Sequence, residues 1–131
     1  MTDDKRVPDP IATARALPKG SAVILRHRDE QERARLGEAL RKLTQQNDLL
    51  LLIAGDPALA KSLDADGVHV PESRSTSILP CRTRNPNWII TAAAHSEHAL
   101  LRASCTAADA VLLAPLFPTK SHPERTGIGL S

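Results

Sequence analysis

Apolar residues in this chain come in short runs. "SAVILR" (21–26), "DLLLLIAG" (48–55), "ADGVHVP" (65–71), "NWIITAAA" (87–94) and "ADAVLLAP" (108–115) are mostly rich in Val, Ile and Leu. They do not alternate apolar with polar, so they predict buried parallel strands covered on both faces. Helical patterns lie between them. "DEQERARLGEALRKLTQQN" (29–47) places Leu36, Leu40 and Leu43 on one face, with Asp29 as N-cap. "DPALAKSL" (56–63) sets Asp56 at the N-cap and Pro57 at the first helical position. "SEHALLRASC" (96–105) starts from Ser96 and turns Ala99, Leu100 and Ala103 inward. The runs begin about 20 residues apart, the length of a strand, a helix and two short loops. The pattern predicts α/β architecture, with βα units in a parallel sheet of about five strands. No linker divides it, so one domain is expected over residues 1–131.

Periodicity alone leaves a (β/α)8 barrel and an open sheet both standing. A whole barrel needs roughly 200–250 residues, so this chain of 131 residues would supply part of one.

Composition narrows the function classes. Seventeen basic against 15 acidic residues make no general nucleic-acid or membrane-surface binder. Trp88 and Phe117 are the only aromatics, too few for stacking on bases. Cys81 and Cys105 do not make a secreted disulfide framework. The opening "MTDDKRVPDP" is the reverse of a signal peptide, and "LLLLIAG" is far too short to span a bilayer. A soluble, cytoplasmic chain is the expectation.

Ligands of parallel α/β folds meet the carboxyl ends of the strands, and charged residues gather there in this sequence. Arg26, His27, Arg28 and Asp29 follow the first run; Gly55 and Asp56 the second; His69, Pro71 and Glu72 the third. His95 and Ser96 follow the fourth, and Thr119, Lys120, Ser121 and His122 lie beyond the fifth. Arg26 and Arg28 are open between bidentate phosphate binding and a salt bridge to the acidic helix that follows. Asp56 can bind Mg²⁺, but its place before Pro-Ala favours a cap. His69, inside an apolar run, reads as a packed core histidine. His95 ends a smooth strand before a helix cap, where an imidazole can shuttle a proton at neutral pH. Lys120 with Thr119 and Ser121 offers one cation and two hydroxyls, the makings of an anion cradle. No zinc, Walker-type or dinucleotide-binding motif is present.

Taken together, "VILRHRD", "LLLIAGDPALAKSLDADGVHVPE", "AAAHSEHAL" and "ADAVLLAPLFPTKSHP" resemble the thiamine phosphate synthases and their TenI-like thiazole tautomerase relatives, in that family's order. The resemblance implies a TIM barrel, here incomplete at both ends. It also implies phosphorylated thiazole or pyrimidine ligands, and a place in thiamine biosynthesis. The synthase joins a pyrimidine pyrophosphate to a thiazole phosphate with Mg²⁺; the tautomerase isomerises a thiazole carboxylate phosphate without metal.

Departures from the synthase pattern are specific. Its Gln-x-Arg-x-Lys reads Ile24, Arg26 and Arg28 here; its Asn-Asp reads Gly55-Asp56. Arg74 stands where a second metal-binding Asp is expected, and Ala93 where a Ser is. His95 remains, at the position where the tautomerase branch uses a His for proton transfer. The resemblance therefore implies catalysis by His95, phosphate binding by Arg26, Arg28, Thr119, Lys120 and Ser121, and at most Mg²⁺ on Asp56, leaning toward the tautomerase branch. A truncated, non-catalytic remnant that binds a phosphorylated ligand or a partner chain is the alternative. An open flavodoxin-like module would explain the spacing but not "PLFPTKSHP". Exposed sheet edges predict a homo-oligomer.

Overall fold

A computed structural model describes residues 9–104 and 107–113. All five predicted strands are present: β1 (Ala22–Leu25), β2 (Leu50–Ala54), β3 (Gly67–Val70), β4 (Ile89–Ala94) and β5 (Ala110–Leu113). The helices are α1 (Pro10–Arg15), α2 (Glu30–Gln46), α3 (Pro57–Ser62), α4 (Ile78–Arg84) and α5 (Glu97–Ser104), with a 3-10 segment at Glu72–Ser77. The chain divides into two compact units, residues 1–69 and 70–131.

In the first unit β1, β2 and β3 are parallel and adjacent in chain order, with Val23 opposite Leu51 and Leu52 opposite Gly67. Leu51, Leu52 and Ile53 are buried in succession, so β2 is covered on both faces as its unbroken apolar run requires. Leu40, Leu43 and Thr44 of α2 and Ala60 of α3 complete this core. Gly37 lets α2 come close: a Cβ there would stand 2.7 Å from Leu63 Cδ1.

Each of these helices starts where its sequence says it should. The Asp29 carboxylate accepts the Glu32 N–H at 2.8 Å, and Asp56 accepts the Leu59 N–H at 3.0 Å. Both helices end by a left-handed residue, Asp48 (φ 55) and Asp64 (φ 51). The next amides then reach back five residues, Leu49 to Thr44 O at 2.8 Å and Ala65 to Ala60 O at 2.9 Å.

The second unit pairs β4 with β5 in parallel, Thr91 opposite Ala110. Among the described residues its core includes Val70, Ile78, Cys81, Ile90, Ala92, Ala94 and Ala99. Burial pushes the Cys81 thiol up, against the opposing charge of Arg82, as befits a cysteine acting as a small apolar side chain.

One clamp recurs in both units. Ahead of β3, Asp66 donates its N–H to Leu51 O (2.9 Å), and its Oδ2 accepts both the Leu51 N–H (2.8 Å) and Arg41 Nη1 (2.9 Å). Ahead of β5, Asp109 donates to Ile90 O (2.7 Å), and its Oδ2 accepts the Ile90 N–H (2.8 Å) and Arg82 Nη2 (2.6 Å). One aspartate thus satisfies both backbone groups of a residue on the preceding strand, and an arginine of the helix leading into that strand neutralises it.

Asp66→Ala should destabilise the chain by about 1–3 kcal/mol, since the Leu51 amide and Arg41 both lose their acceptor. Urea unfolding measures this. The Asp109 clamp also predicts a pH dependence. The Ile90 N–H, and then Arg82, hold its carboxyl below the usual carboxylate range against an opposing effect of burial. Its stabilisation is therefore complete above the unfolded-state value of about 4 and is lost as pH falls through the native value. In urea titrations between pH 7 and pH 2, the advantage of the native chain over Asp109→Asn should shrink only in that acid range.

Candidate functional site

Along the carboxyl ends of the first unit's strands, backbone geometry assigns the side chains their places. Arg26 and Arg28 follow β1 and are exposed, while His27 between them is buried. Asp56 is engaged on both oxygens: Oδ1 by the Leu59 amide, Oδ2 by Arg33 Nη2 at 3.0 Å. Arg33 of α2 is only one-fifth exposed, and its Nη1 also donates to His27 O at 3.4 Å. The cap reading of Asp56 therefore accounts for its contacts. Among the described residues no group of three or more His, Cys, Asp and Glu is placed to hold a metal. Asp56, shared by an amide and a guanidinium, could offer Mg²⁺ one carboxylate, and the remaining oxygens would have to come from water or substrate phosphate.

Gly55 has φ 66, and its N–H continues the β2–β3 pairing by donating to His69 O at 2.9 Å. Glycine and asparagine are residues that tolerate this left-handed conformation. That explains how Gly can stand where the synthase pattern has Asn. His69 is buried within β3, as its place in an apolar run predicts.

In the second unit an open cleft of about 430 Å³ is lined by Pro71, Glu72, Ser73, His95 and Arg102. Two strand ends and one helix build it. Pro71 ends β3 and carries the chain into the 3-10 segment with Glu72 first. His95 follows β4, and Ser96 caps α5 by accepting the Ala99 N–H at 3.0 Å. Arg102 lies on α5. The Glu72 carboxylate joins the three: Oε2 accepts the backbone N–H of His95 at 2.8 Å, and Oε1 lies 4.0 Å from Arg102 Nη2. Glu72 is about one-quarter exposed and Arg102 more than half, so the cation faces the open side. A histidine and an arginine around one cleft can bind an anion and move a proton on it.

Of the residues expected from sequence, His95 thus lines a cleft, while Thr119, Lys120 and Ser121 lie outside the described residues. Glu72 was legible as a strand-end residue but not as the partner of His95. Arg102 carried no signal, being one charge on an amphipathic helix.

The family model described as thiamine monophosphate synthase matches residues 2–131. The chain belongs to that family. It is 38% identical over 117 residues to the Aquifex aeolicus protein named "Putative thiamine-phosphate synthase 2", covering 87% of this chain and 62% of that one. Thiamine-phosphate synthase of Pyrococcus furiosus is 30% identical over 134 residues, covering 99% and 64%. Among solved structures, thiamine phosphate pyrophosphorylase from Pyrococcus furiosus superposes with a TM-score of 0.70 at 25% identity, over 87% of this chain and 56% of that one. The expected fold class, parallel βα repeats of the TIM-barrel type, holds. The chain spans about three-fifths of the length of these curated relatives. Among the described residues, no helix is long and apolar enough to cross a membrane.

Substitution at position 55 tests the backbone argument. Gly55→Val should cost about 1–2 kcal/mol through its Cβ in the left-handed region, and Gly55→Asn less than half of that. Thermal and urea unfolding of both variants measure the difference.

Proposed function

We propose that this chain serves thiamine biosynthesis by binding a phosphorylated thiazole and moving a proton on it with His95. The observation that carries the reading is the cleft in which His95 stands with Glu72 and Arg102. Isomerising a thiazole carboxylate phosphate needs one group to take a proton from a ring-adjacent carbon and return it to another atom of the same molecule. No bond to a second substrate forms, and no electron is gained or lost. A strand-end imidazole suits that work, and Arg102 supplies a cation for the ligand's carboxylate or phosphate. The coupling of thiazole phosphate with a pyrimidine pyrophosphate is less well supported. Asp56 is committed to Arg33 and the α3 amide, and Arg74 occupies the position where that chemistry wants a second carboxylate.

Incubation of the chain with thiazole carboxylate phosphate in D₂O, followed by proton NMR, tests this. His95→Ala should slow isomerisation and solvent exchange by roughly 10²–10⁴-fold, the range of a lost acid–base group. The ligand should still raise the melting temperature of that variant. Undiminished exchange in His95→Ala would overturn the reading, as would Mg²⁺-dependent release of pyrophosphate when a pyrimidine pyrophosphate is added with the thiazole phosphate.

A further inference from the structure

We infer that Glu72 is a positioning residue for His95, acting through the peptide backbone and not on the ligand. The inference rests on the proton-transfer reading of His95. His95 is the first residue beyond β4, so its peptide lies past the last residue of that strand. Its N–H donates to Glu72 Oε2 at 2.8 Å, across 23 residues of sequence. A charged acceptor makes this hydrogen bond stronger than a neutral one. The carboxylate is itself held: Glu72 opens the 3-10 segment after Pro71, whose ring limits φ to −65, and Arg102 of α5 faces its other oxygen at 4.0 Å. α5 starts immediately after His95, with the Leu100 N–H on Ser96 O at 3.0 Å. Glu72 therefore ties three segments to one peptide: the loop after β3, the end of β4 and the body of α5. The Cα–Cβ bond of His95 leaves that peptide in a fixed direction, which narrows the positions its ring can take.

The chemistry of the tie separates its two roles. A glutamine keeps an oxygen that can accept the His95 N–H but loses the charge that faces Arg102. An alanine loses both. If backbone positioning is the function, glutamine should rescue what alanine loses.

Glu72→Ala, Glu72→Gln and His95→Ala are compared in the thiazole carboxylate phosphate assay, with the His95 amide and ring followed by NMR in ¹⁵N-labelled chain. Glu72→Ala should lower kcat roughly 10- to 100-fold, the cost of misplacing a reacting group, with KM within about twofold. Glu72→Gln should keep at least half of the native kcat. In Glu72→Ala the His95 amide should move upfield and lose hydrogen-exchange protection, and should keep both in Glu72→Gln. A Glu72→Ala chain as active as the native one, while His95→Ala is inactive, overturns the positioning role and leaves the proton-transfer reading intact. Full activity in His95→Ala fails that reading instead; the His95 amide then decides alone, and unchanged exchange in Glu72→Ala overturns the inference. If Glu72→Ala does not fold, a Glu72→Gln chain that has lost kcat while keeping its melting temperature and its His95 amide position overturns it as well.

Discussion

Two aspartates, each one residue ahead of a strand, hold the parallel pairings in register. Parallel strands cannot be joined by a tight turn, so each must be aligned with its neighbour after a crossover helix, and a slip of one residue would turn every side chain to the wrong face. Asp66 and Asp109 prevent the slip by engaging both the N–H and the C=O of one residue on the preceding strand. The arginine completing each clamp comes from the helix that feeds that preceding strand, Arg41 from α2 and Arg82 from α4. A strand, its incoming helix and the next strand are thereby fixed through one carboxylate. Asp66 is the more enclosed of the two, about one-quarter exposed against one-half for Asp109, so its loss has fewer waters to soften it.

The clamps stand at the amino ends of the strands, which leaves the carboxyl ends to chemistry. This division is general in barrel-type folds, where one face reads as stability and the other as function. Asp56 shows how strictly the same residue type is assigned by position. At a carboxyl end it could have been a ligand, yet the helix that begins there uses one of its oxygens and α2 supplies Arg33 to the other. A helix cap with an ion pair accounts for both oxygens of this carboxylate.

Much of this was legible in the sequence. The strands were, because each is an unbroken apolar run of the length a covered parallel strand needs, and α2, α3 and α5 were, because Asp29, Asp56 and Ser96 announce their first turns. Helix α1 carries the same Asp-Pro signal at Asp9–Pro10 and was hidden by the polar character of the segment around it. Helix α4 was hidden by Pro80, which reads as a breaker; it sits in the first turn, where the missing N–H has no partner to lose. The clamps were half legible: "ADGV" and "ADAV" repeat ahead of two strands, but their arginines lie 25 and 27 residues upstream, a separation no local pattern exposes. For the same reason His95 could be picked out as the end of a smooth strand, while its bond to Glu72 could not.

On the proposed reading, what the chain keeps and what it has exchanged form one consistent set. Metal-assisted pyrophosphate departure asks for several carboxylates converging on an ion and for donors around a large, multiply charged group. Ile24 and Arg74 stand where the resemblance to the synthases implies a Gln and a second metal-binding Asp. Proton transfer within one molecule asks for less: an imidazole aimed along one direction, an anchor for the ligand's charge, and no metal. The cleft in the second unit holds those groups within a single run from Pro71 to Arg102. A strand end is a poor place to aim a side chain unless something beyond the ladder grips the next peptide. Glu72 grips it. The contact on which the proposed proton transfer depends is made by this chain's own residues, the His95 N–H donating to Glu72.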